Sequence, residues 1–182
     1  MSPMALLIID MQHSMSTQAA GSRNNPDAES VIATLLGHWR QVGGPVIHVR
    51  HISRTPGSLF WPGQPGVEFQ APLAPLNSEH VVEKNVPDAF INTGLERWLH
   101  ARSIGHVAIA GVSTNNSVEA TARTCGNLGF KTYVVSDDTF AFAKHDYDGL
   151  LRSAQEVHAM ALANLQGEYA TVLTASQLLG LR

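Results

Sequence analysis

The stretch "VAIAGVSTNNSVEATAR", residues 107–123, combines an apolar segment, a polar turn and a helix-like pattern in immediate succession. The apolar segment has no polar alternation, which is typical of a strand buried on both faces of a parallel sheet. The turn of Gly, Ser, Thr and Asn places backbone N–H groups at a helix start, where they can bind an anion or a developing oxyanion. This unit indicates an α/β fold with a reactive side chain at the carboxyl end of a buried strand.

Apolar segments of this kind recur along the chain, with helical patterns between them. The strand-like segments are MALLIID, PVIHVRH, HVVEK, HVAIAGV, KTYVVSD and ATVLT. The helix-like segments are PDAESVIATLLGHWRQVG, NTGLERWLHARSIG, NSVEATARTCGNLG and SAQEVHAMALANLQG, the last with a capping-box spacing from Ser153 to Glu156. Strands that alternate with helices predict a three-layer α/β fold with helices on both sheet faces. No linker interrupts the order, so we expect one domain over residues 1–182.

Composition excludes several classes of protein. The chain is 44% hydrophobic and 15% charged, which suits a globular enzyme, and its net charge of −3 comes without a Lys/Arg cluster for nucleic acid. The apolar runs are too short to span a bilayer, and no secretory signal precedes the first strand. The single cysteine, Cys125, excludes internal disulfides and multi-cysteine metal sites. We expect a cytoplasmic protein with a small-molecule substrate, no cofactor, and neither nucleic acid nor membrane as partner.

Two charged residues follow strand-like segments at the edge where α/β folds bind ligands. Asp10 ends "ALLIID", and Lys84 lies in "VVEKNVPDAF". Asp10 either caps a loop or presents a carboxylate whose pKa an apolar site raises, which suits proton transfer near neutral pH. Lys84 is either a solvated surface charge or the partner that keeps Asp10 ionised and stabilises an anionic intermediate.

Ser117 has two interpretations of its own. Serine is a preferred helix N-cap, and Asn115 and Asn116 are comparable candidates for that role. Alternatively, its hydroxyl takes part in the chemistry of the turn. Cys125 lies about two turns further along the same helix, where buried packing is the expected role.

The histidines do not form a metal-binding pattern. His48 and His51 are three residues apart on or just after one strand, so their side chains should point to opposite faces. No Asp-x-His or His-x₃-His pattern accompanies them, and we expect no metal site.

The segment from Ser53 to Pro75 contains five prolines and no clear periodicity. A loop of this length is typical of a lid or wall over a functional site. Phe60 and Trp61 within it, together with Phe90, are candidates for an apolar pocket, although aromatic residues also pack in cores and subunit interfaces.

Three motifs together resemble the isochorismatase-like hydrolase superfamily, also called the cysteine hydrolases. They are "ALLIIDMQ", "VVEKNVPDAF" and "AGVSTNNSVEATARTCGNLGF", in that order, and the resemblance extends from Ala5 to about Leu173. It implies a Rossmann-like three-layer α/β/α sandwich with a mainly parallel six-stranded sheet. It also implies a homo-oligomer, a dimer or larger, whose active site is often completed by a neighbouring subunit.

The resemblance also assigns catalytic residues. The family's Asp, Lys and Cys triad corresponds to Asp10, Lys84 and Ser117, and its non-proline cis peptide corresponds to the bond between Val112 and Ser113. The N–H groups of Ser113 and Ser117 would then donate to an oxyanion. Among the remaining candidates we assign substrate binding to His51, Phe60, Trp61, Phe90 and Asn115.

Two departures from the family pattern bear on the reaction. Serine replaces the nucleophilic cysteine, and a hydroxyl is much harder to ionise than a thiol. The Asp-x-His metal ligands of nicotinamidases are missing, so a nicotinamidase is not expected.

Several functions therefore stay open. One is hydrolysis of a vinyl ether, amide or related C–N or C–O bond by Asp10 and Lys84 without a nucleophile, as in isochorismatase, where Arg23, Arg50, Arg54 or His51 would anchor an acidic substrate. A second is an inactive protein that binds a small ligand or acts as a scaffold. A third is an amidase or esterase that depends on Ser117, and a fourth is a cysteine amidohydrolase in which the serine was engineered.

Overall fold

The computed structural model of the chain describes residues 3–17 and 20–181. Its strands and helices are, in chain order, β1 (Met4–Ile9), α1 (Ala28–Gln41), β2 (Val46–His51), β3 (His80–Lys84), α2 (Leu95–His100), β4 (His106–Val112), α3 (Glu119–Asn127), β5 (Lys131–Phe140), β6 (Lys144–His145), β7 (Leu151–Arg152), α4 (Ala154–Leu165), β8 (Thr171–Leu173) and α5 (Ala175–Leu179). Short 3₁₀ turns lie at His13–Ser16, Pro65–Val67 and Ala71–Leu73. No helix among the described residues is long and apolar enough to cross a membrane.

The central sheet has six parallel strands in the order β3-β2-β1-β4-β5-β8. All six apolar segments form strands of this sheet, and the predicted α/β fold is confirmed. β1 pairs with β2 on one side and with β4 on the other, so the strand order reverses beside β1. Ligands in open α/β sheets bind outside the carboxyl ends of the strands at such a switch point.

Helices cover both faces of the sheet, which explains why the strands lack polar alternation. Alternate residues of β1 point to opposite faces: Leu6 and Ile8 pack toward α1 and α5, and Leu7 and Ile9 pack toward the other three helices. All six residues of β1 are buried. Removal of this apolar surface from water, at about 25 cal/mol per Å², is the main stabilising term for the three layers.

Two elements were not predicted from the sequence. The short hairpin of β6 and β7 pairs only two residues from each strand, too few for a period-2 pattern. Helix α5 is only five residues long, yet Thr174 and Gln177 form a capping box at its start. The capping box predicted at Ser153 and Glu156 is confirmed at the start of α4.

A partly buried network ties α1 to β2 and to the segment that precedes β3. Glu79 accepts hydrogen bonds from Arg40 Nε at 2.7 Å and Nη2 at 2.9 Å, and its Oε2 lies 2.9 Å from His48 Nε2. Burial by itself would raise the pKa of Glu79, but the hydrogen bonds from Arg40, the Leu76 N–H and His48 lower it to about 2. Glu79 therefore stabilises the fold in its ionised form.

We expect Glu79→Gln to remove one component of the acid sensitivity of the fold. The pKa of Glu79 falls from its ordinary 4.5 to about 2 on folding, so its stabilisation is complete above pH 4.5 and is lost as pH falls toward 2. Because solvent reaches part of the network, this component should be about 2 kcal/mol. Urea unfolding across this pH range measures it, with the exposed Glu168→Gln as control. An unchanged pH profile in Glu79→Gln would contradict the prediction.

Two helical glycines should respond in opposite directions to replacement by alanine. A Cβ at Gly37, in α1, would meet nothing within 4 Å, so we expect Gly37→Ala to stabilise the protein by about 0.5–1 kcal/mol. A Cβ at Gly126, in α3, would lie 2.4 Å from the carbonyl oxygen of Tyr169, and we expect Gly126→Ala to destabilise it by about 1–3 kcal/mol. Urea denaturation of the two variants measures both effects, and shifts of the same sign would refute the packing described for Gly126.

Candidate active site

Asp10 lies at the carboxyl end of β1, where the chain turns out of the sheet. Its backbone is in the left-handed region, with φ of 53°, which Asp and Asn tolerate better than most residues. The Asp10 N–H donates to Val49 O at 2.9 Å, and the Gln12 N–H donates to Asp10 O at 2.7 Å. This turn holds the side chain in the interior, where Asp10 is only 1% exposed.

Gly111 brings the end of β4 close to the end of β1. It pairs with Ile9, has φ of 113°, and a Cβ built on it would lie 2.1 Å from the carbonyl oxygen of Ile9. Only glycine fits this position. The "AGVS" turn that follows is thereby held next to Asp10 at the switch point.

Lys84 joins Asp10 to Ser117. Its Nζ donates to Asp10 Oδ2 at 2.7 Å and to Ser117 Oγ at 3.2 Å. All three residues are buried: Lys84 is 2% exposed, Asp10 is 1% exposed and Ser117 is 6% exposed. The structure therefore brings together three side chains that lie 33 to 107 positions apart in the sequence: Asp10 and Lys84 at strand ends, and Ser117 in the turn that follows β4.

The environment of Asp10 favours proton transfer. Burial raises the pKa of Asp10 above its ordinary 3.8, while Lys84, the Ser117 hydroxyl and His51 lower it in part. Its Oδ1 has no hydrogen-bond partner among the described residues. A carboxyl group with a raised pKa and a free oxygen can accept a proton from a bound substrate or donate one to it.

Ser117 does not cap a helix, and the capping hypothesis is wrong for it and for Asn115 and Asn116. All three lie inside a π-helical turn, Thr114–Val118, which continues directly into α3 and is preceded by Ser113 at the N-cap position. The peptide bond between Val112 and Ser113 is cis. Placed within the turn, the Ser117 hydroxyl accepts its hydrogen bond from Lys84.

His51, the last residue of β2, lies beside the Asp10–Lys84 pair. Burial lowers the pKa of His51, Lys84 lowers it further, and Asp10 opposes the shift. Its ring meets Phe60 edge-on, with 5.5 Å between centroids. Gln12, which sequence reasoning missed, holds the His51 backbone: its Oε1 accepts from the His51 N–H at 2.8 Å and its Nε2 donates to the His51 carbonyl at 3.0 Å.

A cavity of about 490 Å³ adjoins Lys84. The first part of the proline-rich loop forms one side of it, and the end of β3 forms the other. Its lining includes Ser53, Arg54, Trp61, Pro62, Lys84 and Asn85. Trp61 thus shares a cavity with Lys84, and Phe60 is linked to the site through His51. The carboxyl-end opening is of a size for a small molecule.

Other candidate residues lie elsewhere. Phe90 is 8% exposed and packs in the core, with its ring centroid 6.2 Å from that of Phe130. Asn115 lines a separate cavity of about 930 Å³ between the π-helical turn, α4 and the β6–β7 hairpin. Cys125 is buried in α3, and burial raises the pKa of its thiol to about 12. The structure does not bring these three residues to the cavity beside Lys84.

The histidines of β2 face different surroundings, as their spacing predicts. His48 contacts Glu79, whereas His51 contacts Phe60. Within residues 3–17 and 20–181, no group of three or more His, Cys, Asp or Glu side chains is arranged to hold a metal ion.

Comparison with protein families and curated proteins relates the chain to known proteins. Residues 4–177 match the isochorismatase domain. The chain is 39% identical over 175 residues to the isochorismatase family protein YrdC of Bacillus subtilis (strain 168), which is uncharacterized; the match covers 96% of this chain and 94% of YrdC. It is 35% identical over 136 residues to a streptothricin hydrolase of Streptomyces noursei, covering 73% of this chain but 48% of that enzyme.

The fold has a near match among solved structures. The chain superposes with a TM-score of 0.94 on a protein from Chromobacterium violaceum ATCC 12472 that is ascribed to the isochorismatase family of hydrolases. The two are 48% identical, and the superposition covers 98% of this chain and 92% of the other.

Proposed function

Since the chain belongs to the isochorismatase family of hydrolases, we propose that it hydrolyses an amide or ester bond of a small molecule with Ser117 as nucleophile. The observation that carries this proposal is the contact of Lys84 Nζ with both Asp10 and Ser117, at 2.7 and 3.2 Å. A nucleophilic hydroxyl in a buried network with an acid–base group is the arrangement that acyl transfer requires.

Proton transfer in this reaction is assigned to Asp10. Asp10 takes the proton of the Ser117 hydroxyl as Oγ attacks the carbonyl carbon, and the Lys84 ammonium stabilises the negative charge that develops on Oγ. Backbone N–H groups of Ser113 and Ser117 donate to the carbonyl oxygen as it becomes an oxyanion. The protonated Asp10 then gives its proton to the leaving amine or alcohol, and an acyl-Ser117 ester remains.

The second half of the reaction restores the serine. A water molecule enters from the cavity beside Lys84, and Asp10 takes one of its protons as the oxygen attacks the acyl carbon. The acid leaves, and Asp10 returns the proton to Ser117 Oγ. A carboxyl group whose pKa burial raises is a stronger base in the first step than an exposed Asp, which supports Asp10 in this role.

A second candidate function uses Asp10 alone as general acid. In the isochorismatase reaction implied by the family, an Asp protonates a vinyl-ether carbon and water captures the oxocarbenium ion. The raised pKa of Asp10 and its free Oδ1 favour this alternative. The arginines argue against a substrate with several carboxylates, because Arg23 and Arg50 are paired with Glu29 and Glu83.

Trapping of the acyl-enzyme tests the proposal. The protein is incubated with a 4-nitrophenyl ester, quenched in acid and examined by intact-mass spectrometry and peptide mapping. We expect one acyl group on Ser117 in the wild type and none in Ser117→Ala. Turnover without an adduct, combined with an active Ser117→Ala, would favour the mechanism in which Asp10 acts alone. Failure to turn over esters, amides and vinyl ethers alike would favour an inactive binding protein.

We propose in addition that the protein forms a homo-oligomer. Apolar side chains project from the β6–β7 hairpin and from α4, with Tyr147 96% exposed and Met160 64% exposed. Burial of these side chains against a second copy would remove apolar surface from water. Light scattering at micromolar concentration should give the mass of a dimer or larger, and a monomer would contradict the proposal.

A further inference from the structure

Three arginines are candidate anchors for an acidic substrate, and they differ in how their charge is compensated. Arg23 donates to Glu29, with Nη1 2.7 Å from Oε1, and lies over the Phe140 ring, while Arg50 donates to Glu83, with Nε 2.9 Å from Oε1. Arg54 has no carboxylate partner within the part of the chain that the structure describes. Its positive charge is therefore available to a ligand.

The backbone holds Arg54 beside Lys84. The Ile52 N–H donates to the Lys84 carbonyl at 2.8 Å, which extends the pairing of β2 with β3 to within two residues of Arg54. The loop then turns, because Ser53 Oγ accepts from the Thr55 N–H at 3.0 Å. The hydrogen bonds of the Ile52 and Thr55 N–H groups therefore fix the backbone on both sides of Arg54.

The side chain of Asn85 orients the guanidinium. With the Asn85 amide turned so that its oxygen faces Arg54, that oxygen accepts from Arg54 Nε at 3.0 Å and from Nη2 at 2.6 Å. Asn85 directly follows Lys84, so the contact joins the ends of the two adjacent strands. A guanidinium has five N–H donors, and those not directed at Asn85 remain for a ligand.

The other charges around the cavity are neutralised. The Lys84 ammonium is paired with Asp10, and Glu83 is paired with Arg50. Arg54 is consequently the cation in this cavity without an opposing charge among the described residues. Trp61, which is 37% exposed, lines the same cavity and offers an apolar surface.

We propose that Arg54 is a specificity-determining residue that binds a carboxylate of the substrate in the cavity beside Lys84. This inference rests on the proposed function for the identity of the reacting bond, and it narrows the substrate to an amide or ester that also carries an acid group. The carboxylate would meet the planar guanidinium with matched geometry, and the substrate body would lie along Trp61 and extend toward Lys84, which contacts Ser117.

A binding experiment tests the role of Arg54 independently of catalysis. Benzoate and its neutral isostere benzamide are titrated while the fluorescence of Trp61 is followed, and Trp61→Phe shows which part of the signal Trp61 supplies. We expect benzoate to bind the wild type about tenfold more tightly than benzamide, since Arg54 is exposed to solvent and its attraction is screened. This preference should shrink as NaCl is raised.

Substitutions of Arg54 test whether this residue causes the preference for benzoate over benzamide. Arg54→Gln should abolish the preference for benzoate. Arg54→Lys keeps the positive charge but lacks the planar fork, so it should retain part of the preference. Arg23→Gln is the matched control and should retain the preference fully, because Arg23 does not line this cavity. Equal affinities in the wild type, no saturable benzoate binding, or an undiminished preference in Arg54→Gln would each overturn the proposal.

A kinetic experiment separates this inference from the proposed function. The esters 4-nitrophenyl hemisuccinate and 4-nitrophenyl butyrate share a leaving group and differ in charge. We expect Arg54→Gln to raise KM for the anionic ester about tenfold with little change in kcat, and to leave the neutral ester unaffected. If neither ester is hydrolysed while the benzoate preference depends on Arg54, the proposed function fails and the assignment of Arg54 stands. Hydrolysis with no dependence of KM on Arg54 would overturn the assignment alone.

Discussion

Ser117→Ala is expected to lower kcat for ester and amide hydrolysis by roughly 10³-fold or more, because no other hydroxyl or thiol lies within reach of Lys84 among the described contacts. The fold should change little. The hydroxyl accepts a hydrogen bond from Lys84, and a bond of this kind contributes about 1–2 kcal/mol. Steady-state kinetics and urea unfolding of the purified variant measure the two effects separately.

Ser113→Ala is the matched control for this prediction. Ser113 lies in the same turn, its side chain makes no capping hydrogen bond, and its proposed role belongs to its backbone N–H, which alanine keeps. We therefore expect Ser113→Ala to retain most of the activity. Near-normal turnover in Ser117→Ala would rule out the serine nucleophile and leave Asp10 as the centre of the reaction.

Ser117→Cys tests the same position by replacing the hydroxyl with a more reactive nucleophile. A thiol is ionised far more easily than a hydroxyl, and the Lys84 ammonium next to it would stabilise the thiolate. We expect this variant to form an acyl-enzyme at least as fast as the wild type and to react with iodoacetamide at residue 117. Cys125 would not interfere, because it is buried and its pKa is raised to about 12.

The fold could be predicted from the sequence because the relevant signals are local. An apolar run such as residues 4–9 needs shielding on both faces, and only a layer of helices on each side of a parallel sheet provides it. The hairpin and α5 escaped prediction since elements of two and five residues have too few positions to show a period. Short elements are determined by tertiary contacts more than by their own pattern.

The site could be predicted in part. Asp10, Lys84 and the turn that holds Ser117 were identified because each follows a strand, and strand ends converge at one edge of a parallel sheet. The contact between Lys84 and Ser117 could not be predicted, because it depends on the lateral order of the strands and on a π-helical turn that has no sequence signature. Local propensity favours serine as a cap, and the tertiary contact with Lys84 overrides that preference.

The roles of individual aromatic and arginine side chains could not be predicted from the sequence either. From the sequence, Phe90 and Trp61 are equally good candidates for lining a pocket. In the structure Phe90 packs in the core, whereas Trp61 lines the cavity beside Lys84. Arg23, Arg50 and Arg54 are likewise indistinguishable until their partners are known, because a charge is free or compensated only in three dimensions. The pairing of Arg50 with Glu83 joins adjacent strands, and its register cannot be derived from either segment alone.

Asp10→Asn is expected to lower kcat by about 10²–10⁴-fold, the usual contribution of a positioned acid–base group. Asparagine has nearly the same shape as aspartate and tolerates the left-handed backbone at this position, where φ is 53°. It can still accept the hydrogen bond from Lys84 Nζ, but it can neither take the Ser117 proton nor donate one to a leaving group. The chemical function is thus removed while the packing is kept.

The stability of this variant is a second readout. Loss of the carboxylate leaves the Lys84 ammonium buried without a counter-charge, and we expect a decrease of about 3–5 kcal/mol in the free energy of unfolding. The double variant Asp10→Asn/Lys84→Met removes that charge and should recover part of the loss without recovering activity. If Asp10→Asn were as stable as the wild type and as active, Asp10 would be a structural residue and the acid–base role would fall.

Asp10→Asn and Ser117→Ala together decide between the two hydrolytic mechanisms. Both mechanisms need Asp10, so loss of turnover in Asp10→Asn is common to them, whereas only the acyl-enzyme route needs the Ser117 hydroxyl. In that route an acyl group should still form slowly in Asp10→Asn, because Ser117 and Lys84 remain in contact, and its hydrolysis should be slowed as well since Asp10 also activates the water. Slower formation and slower hydrolysis of acyl-Ser117 in Asp10→Asn than in the wild type, both followed by intact mass, would therefore place both proton transfers on the same carboxylate. If no acyl-Ser117 forms and Ser117→Ala stays active, Asp10 has the single role of protonating the substrate.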